Sequence, residues 1–267
     1  EIAKILLAVF FAGYLVSRKD SLSEIGSRVM GMKVPRAKDL GPIMVIWFAS
    51  IGVLVLQRDL GTSILYFGLF LVLIYTATGR AFYVGVGVIM MITGALVASR
   101  MFDYVSRRFD AWLDPFAAEN YNAAGGSYQL AQALFGFANG DVIGTGLGGG
   151  FPQLIPLAES DFILAALGEE LGLAGIFAIL SMFLLLIYRG LRIANSHPDD
   201  FSRLLSTGLS FVIGLQVFVV AGGVMGLLPL TGLTTPFLAA GGSSLLANWA
   251  IVALLLVISD SSLRRPA

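Results

Sequence analysis

Long apolar runs broken by short polar turns dominate this chain, and they predict membrane-crossing helices rather than an amphipathic globular fold. A crossing helix needs about 20 apolar residues. Runs of that order fall at 2–16, 41–56, 62–78, 81–99, 163–188, 205–228 and 244–259. The first two are short. These helices are apolar on nearly all sides, so periodicity marks no inner face, and no repeat of fixed period is visible. The expected architecture is all-α and polytopic, one domain over 1–267 with a large loop at 100–162.

A loop of that length within a compact domain is usually functional. Between Asp103 and Phe116 it places Val105, Phe109, Trp112 and Phe116 on one helical face, with Arg107, Arg108 and Asp110 elsewhere. That pattern suits a helix lying in the membrane interface or one packed on its own protein, ending at Pro115. A second short helix is expected over Tyr128 to Phe137, and Gly144 to Gly150 reads as a backbone that approaches its neighbours closely.

Composition supports the membrane reading. Hydrophobic residues make up 57% of 267 and charged residues 13%, against roughly 25% charged in soluble domains. Mean hydropathy is +0.86. Zero net charge argues against a nucleic-acid partner. The absence of Cys excludes disulfides, thiolate metal sites and a Cys nucleophile, and the lone His197 excludes a multi-His site. The chain begins within an apolar run without Met, which reads as part of a longer polypeptide.

Basic residues orient the spans. Arg18, Lys19, Arg28, Lys33, Arg36 and Lys38 share one loop, Arg80 caps another, Arg189, Arg192 and Arg203 fall in a third, and Arg264 and Arg265 in the tail. By the positive-inside rule these lie in the cytoplasm. The C-terminus is then inside, and Glu1 and the 100–162 loop are outside.

Several polar motifs have structural and chemical readings side by side. Gly144-Thr145-Gly146-Leu147-Gly148-Gly149 matches a dinucleotide fingerprint in letters, but no strand precedes it. A loop against a lipid head group or a neighbouring helix fits better. Ser160-Asp161 opens the fifth span as an N-cap, or places a carboxylate where it could transfer a proton. Asp59 or Thr62 caps the third span, with Arg58 and Asp59 as a boundary ion pair. Glu1 and Lys4, three apart, pair on one helical face. In Gly168-Glu169-Glu170-Leu171-Gly172 two carboxylates enter an apolar helix, where they need partners or water. The flanking glycines permit close helix packing. Packing with buried hydrogen bonding is the preferred reading there, and direct catalysis the other. Glu1, Lys4, Asp59, Asp161 and the Gly241-Gly242-Ser243-Ser244 turn all fall on the outer half, suggesting one outward polar cavity.

Taken in order, these motifs resemble the SEDS proteins (shape, elongation, division and sporulation), the RodA/FtsW/SpoVE type of polytopic glycosyltransferase. The resemblance runs from Glu1 to about Ser262 through Glu1-Ile2-Ala3-Lys4, Gln57-Arg58-Asp59-Leu60-Gly61-Thr62, Trp112-Leu113-Asp114-Pro115-Phe116 and Tyr128-Gln129. It continues through Gly144-Thr145-Gly146-Leu147-Gly148, Ile155-Pro156, Ser160-Asp161-Phe162-Ile163 and Gly168-Glu169-Glu170-Leu171-Gly172. It closes on Leu228-Pro229-Leu230-Thr231-Gly232-Leu233, Pro236-Phe237 and Gly241-Gly242-Ser243-Ser244.

The resemblance implies the last seven helices of a ten-helix fold in a bacterial cytoplasmic membrane, with the long loop extracellular and the C-terminus cytoplasmic. It implies polymerisation of lipid II into glycan strands for elongation or division, release of undecaprenyl pyrophosphate, and a class B penicillin-binding transpeptidase as partner. Asp161 matches the family's essential carboxylate, here taken as general base. Glu1, Lys4 and Asp59 match polar residues of its central cavity, and Ser160, Ser243 and Ser244 join them as substrate-binding residues. No cofactor is certain; a divalent cation, Mg or Mn, near Asp59 and Glu1 is the one considered, with no ligand spacing to identify it.

The chain departs from the family where Pro-Glu-x-His-Thr-Asp is common, carrying Pro156-Leu157-Ala158-Glu159-Ser160-Asp161 instead. Ala239-Ala240 replaces a Ser-Tyr, and Arg58 stands where Pro is common. The Gly232-Leu233-Thr234-Thr235-Pro236 stretch and the short basic tail look more like actinobacterial RodA than FtsW. Two alternatives stay open: a lipid II flippase or proton-coupled transporter, which broken helices and midplane charges would favour, and a non-catalytic scaffold for a transpeptidase.

Overall fold

The computed structural model describes residues 1–23, 28–29, 32–33, 41–57, 59–123 and 126–263. Arg36, Lys38, Arg58, Arg264 and Arg265, used above for orientation and for the Arg58–Asp59 pair, lie outside those residues. The helices are α1 (Ile2–Ser23), α2 (Gly41–Gln57), α3 (Leu60–Thr78), α4 (Ala81–Met101), α5 (Asp103–Leu113), α6 (Ala118–Tyr121), α7 (Tyr128–Gly140), α8 (Ile163–Ser196), α9 (Asp200–Val224) and α10 (Gly242–Leu263). Between α1 and α2 a two-residue ladder pairs β1 (Arg28–Val29) with β2 (Met32–Lys33), antiparallel.

Each of the seven apolar runs is a helix. Five of them, α3, α4, α8, α9 and α10, are long and apolar enough to cross a membrane. In α1 the apolar part stops at Ser17, and α2 has 17 residues. The sixth apolar run covers 205–228, whereas α9 occupies Asp200–Val224. Its start is set by Asp199, whose carboxylate accepts from the Ser202 amide at 2.9 Å and the Ser202 hydroxyl at 2.8 Å. Its end is set by Gly226 at φ 73, with Leu227 N–H donating back to the Gly222 carbonyl at 2.8 Å.

The 100–162 stretch holds α5 and α7, where two short helices are expected, and between them the single turn α6. Helix α5 stops at Leu113, two residues before Pro115, because the residue preceding a proline is pushed out of the helical region.

The chain divides into two compact units. The first comprises Glu1–Ala95, Tyr188–Val212 and Trp249–Ala267. Its centre is α3, buried on several sides from Leu60 to Ile74. Helices α1 and α3 pack together, with Phe11 meeting Phe70 at 5.3 Å between ring centroids. The second unit comprises Leu96–Ile187 and Ile213–Asn248. It contains α5 to α7, most of α8, and the loop joining α9 to α10.

Candidate functional site

Glu1, Lys4 and Asp59 gather in the first unit. Lys4 is 2% exposed, and its ammonium lies 2.6 Å from a Glu1 carboxylate oxygen. Burial makes an unpartnered ammonium costly, and the Glu1 carboxylate offsets part of that cost. Asp59 is the N-cap of α3: one carboxylate oxygen accepts from the Thr62 amide at 2.9 Å and the other from the Thr62 hydroxyl. Of the two caps offered by the sequence, Asp59 is the one used. Tyr66 lies within electrostatic reach of both Asp59 and Glu1, which ties the cap to the ion pair.

The second unit is built around a break in α8. Gly172 has φ 67 and ψ −173, so the helix expected to be continuous is interrupted inside the Gly168–Gly172 motif. Opening a helix orphans carbonyls on one side and amides on the other, and inside apolar surroundings these must find partners. The segment Asp141–Gly146 supplies them. The Thr145 and Gly146 amides donate to the Glu169 and Glu170 carbonyls, each at 3.0 Å. In return the Leu173 and Ala174 amides donate to the Asp141 and Val142 carbonyls at 2.9 and 3.1 Å. The fit is close: a Cβ on Gly172 would stand 2.3 Å from the Gly144 nitrogen. The glycine loop is therefore a backbone plug for a broken helix. Of the two glycines of Gly168–Gly172, Gly172 forms the break, whereas Gly168 permits the close helix contact expected, a Cβ there falling 2.3 Å from the Phe137 ring of α7.

Glu169 is the node of that plug. It is 4% exposed and accepts from the Asn139 side-chain amide at 2.8 Å. A Cβ on Gly150 would meet its carboxyl carbon at 3.0 Å. Buried hydrogen bonding, the preferred sequence reading of Glu169, is what the structure contains.

Asp161 ends the loop that leaves this plug and enters α8. The loop is fastened at its far side as well, where the Ala240 amide donates to the Glu159 carbonyl at 2.7 Å. Leu157 and Phe237, one on each partner of that contact, adopt left-handed backbone at φ 57 and φ 63. Bulky residues rarely do so, and such strain gathers at functional sites. The Ser160 hydroxyl donates to the Leu157 carbonyl at 3.3 Å, so Ser160 closes its own turn instead of capping α8.

Asp161 lines a cavity of about 230 Å³ together with Arg108, Trp112, Gln129, Thr231 and Gly232. Helix α5 forms one wall. Its Val105 and Ala111 are buried, Arg108 Nη1 donates to the Leu230 carbonyl at 3.1 Å, and Trp112 Nε1 donates to the Gly226 carbonyl at 2.9 Å. Of the two readings of this helix, packing on its own protein describes that face. Arg108, placed off the apolar face from sequence, is on it, three residues from Val105 and four from Trp112.

Ser243 is exposed, whereas Ser244 is buried in a hydrogen-bonded cluster. The Ser244 hydroxyl meets the Thr234 hydroxyl at 3.1 Å and the Asn248 side chain at 3.3 Å, while Gln216 donates to the Thr234 carbonyl at 2.8 Å. Ser244 thus fixes the turn after the Pro236 loop.

Among the described residues no three His, Cys, Asp or Glu side chains converge, Glu1 is committed to Lys4, and Asp59 to Thr62.

The chain as a whole is similar to known proteins. A family model described as "Cell cycle protein", covering the FtsW, RodA and SpoVE group, matches residues 1–263, and the chain belongs to this family of multi-pass membrane proteins. It is 47% identical over 266 residues to the peptidoglycan glycosyltransferase RodA of Mycobacterium bovis, covering 100% of this chain and 56% of that protein. It is 34% identical over 261 residues to a probable peptidoglycan glycosyltransferase FtsW of Geobacter metallireducens, covering 97% and 66% respectively. The chain thus spans little more than half the length of the mycobacterial relative. Among solved structures, one described as a peptidoglycan synthase complex coordinating polymerization and crosslinking aligns with TM-score 0.69 at 21% identity, over 98% of this chain and 83% of that one. RodA of Thermus thermophilus aligns with TM-score 0.58 at 24% identity, over 97% and 66%. At those identities the structural likeness speaks for the fold.

Proposed function

We propose that this chain carries the catalytic part of a peptidoglycan glycosyltransferase that polymerises lipid II on the outer face of the bacterial cytoplasmic membrane. The observation that carries the reading is Asp161, held on a loop fastened at both ends and lining a cavity with Arg108, Trp112 and Gln129. The names of its relatives supply the substrate class.

In this reading the 4-hydroxyl of an acceptor N-acetylglucosamine attacks C1 of the donor N-acetylmuramic acid. The new C1–O bond forms as the C1–O bond to undecaprenyl pyrophosphate breaks, and the hydroxyl proton passes to Asp161. A positioned base of this kind contributes about 10²–10⁴-fold, or about 3–5 kcal/mol of barrier. The long loop and Glu1 face outward and the C-terminus faces the cytoplasm, and a class B penicillin-binding transpeptidase is the partner.

The test is polymerisation of labelled lipid II by the full-length protein with its transpeptidase, wild type against Asp161→Asn. Glycan strands from wild type alone support the assignment; strands from the variant overturn Asp161 as base. The break in α8 beside buried Glu169 is the one observation favouring a transporter, since broken helices often line transport sites. That break is filled by the chain's own backbone, which leaves it no ion to bind. Lipid II transport into liposomes without polymerisation would reinstate the transporter.

A further inference from the structure

We propose that Arg108 binds the diphosphate of the substrate inside the Asp161 cavity, an assignment that rests on the polymerase reading and names the group that one wall of its site recognises. Arg108 is held before any ligand arrives. Its Nη1 is anchored on the Leu230 carbonyl at 3.1 Å, and one turn along α5 Trp112 is anchored on the Gly226 carbonyl at 2.9 Å. Two bonds to one loop fix the helix, so little side-chain freedom remains to be lost on binding.

A guanidinium has five donors, and one contact leaves most of the fork available. Among the described residues the Leu230 carbonyl is the only hydrogen-bond acceptor Arg108 has. Its Nη2 looks toward Gly232, where an added Cβ would lie 3.9 Å away, and that glycine at φ 74 leaves the approach uncovered. The side chain is half-buried in the cavity wall, so its field is less screened than that of a surface arginine. A planar fork of this kind matches phosphate oxygens two at a time.

The cavity also decides which anion. At about 230 Å³ it is smaller than the roughly 300–1,000 Å³ of pockets that enclose a whole ligand, so it takes one portion of a larger molecule. Asp161, on the same cavity, must reach the hydroxyl that attacks the anomeric carbon. The group bonded to that carbon is the diphosphate, and it takes up negative charge as the bond breaks. A cation on the same cavity as the base holds that group near the reacting carbon and offsets its repulsion from the Asp161 carboxylate.

The experiment measures equilibrium binding of undecaprenyl diphosphate, undecaprenol and inorganic diphosphate to the full-length protein with its transpeptidase, comparing wild type, Arg108→Lys and Arg108→Gln. Loss of a charge-assisted contact predicts about tenfold or more weaker binding of undecaprenyl diphosphate by Arg108→Gln, a smaller loss in Arg108→Lys, and no change for undecaprenol. Competition by inorganic diphosphate would show that the anion alone is recognised. Arg108-dependent binding without such competition would show that the lipid-linked form is required.

Undecaprenyl diphosphate binding that is absent in wild type, or unchanged in Arg108→Gln, overturns the assignment. Because Arg108→Gln also loosens the Leu230 contact, the wild-type protein provides an independent check. Saturating undecaprenyl diphosphate should shield Arg108 from dicarbonyl modification mapped by mass spectrometry, and undiminished modification overturns the proposal. Arg108-dependent binding in a protein that makes no polymer would keep this assignment and sink the polymerase reading. Polymer with Arg108-independent binding would do the reverse.

Discussion

The plugged break in α8 makes a prediction that separates two costs usually mixed together. Gly172 and Gly148 both have left-handed backbone, at φ 67 and φ 74, but a Cβ on Gly148 meets nothing within 4 Å whereas one on Gly172 falls 2.3 Å from the Gly144 nitrogen and 2.6 Å from the Val142 oxygen. Gly148→Ala therefore carries the conformational cost alone, about 1–2 kcal/mol. Gly172→Ala, at φ 67 and ψ −173 in a region nearly closed to L residues, carries at least that cost and an overlap with main chain that cannot swing aside. Overpacking adds about 1–3 kcal/mol, bringing the total to about 2–5 kcal/mol. If the segment is expelled instead of shifting, four backbone hydrogen bonds across the break go with it. Thermal unfolding of the purified protein in detergent, with polymerisation measured on the same samples, should rank wild type above Gly148→Ala and both well above Gly172→Ala. Activity should fall in Gly172→Ala even below its melting point, because the loop carrying Asp161 leaves the same plug. Equal melting temperatures for the two alanine variants would refute the idea that this backbone fills the break.

Asn139→Ala should destabilise the protein by about 1–3 kcal/mol in the same melts, since it leaves the buried Glu169 carboxylate without the donor at 2.8 Å; Asn139→Asp, placing a second carboxylate there, should be worse. Lys4→Met should cost about 1–3 kcal/mol, because Glu1, with only about a fifth of its side chain in solvent, loses its partner; a variant as stable as wild type would mean the pair is dispensable. Asp199 lies between α8 and α9, and the Ser202 amide and hydroxyl hold its carboxyl below the ordinary value of 3.8. A lowered folded value means its contribution is complete above about pH 4 and is lost as pH falls through that lowered value. Asp199→Ala should cost about 0.5–2 kcal/mol at neutral pH, and the gap from wild type should close on acidification; a gap that widens in acid would contradict the cap.

How legible all this was from sequence depended on how far apart the interacting residues lie. The seven apolar runs and the helices at Asp103 and Tyr128 follow from local composition and from Pro115, so reading along the chain suffices. The Asp59 cap is equally local, its partner Thr62 being three residues away. The break at Gly172 was not legible, because glycines four apart serve helix contacts and helix breaks alike, and the segment that fills this break comes from beyond α7. Arg108 could have been found: its spacing from Val105 and Trp112 puts it on their face, and only its charge argued otherwise. The partners of Ser160 and Ser244 are less legible, although both hydroxyls lie near the matched carboxylate and turn. Whether a hydroxyl faces a ligand or closes its own turn depends on backbone geometry that residue type does not encode.

The fastening of the Asp161 loop has a consequence for how freely this protein can change. The bonds across the α8 break, and the one from Ala240 to Glu159, all run between main-chain groups. Main-chain bonds do not depend on which side chain a residue bears, provided its torsion angles are allowed. Positions such as 158, 159, 239 and 240 can therefore drift in identity without moving the carboxylate that follows them. This accounts for Ala239-Ala240 standing where hydroxyl-bearing residues are usual while the loop stays tethered. The glycines at 144 and 172, where any side chain would displace the bonds themselves, have no such latitude.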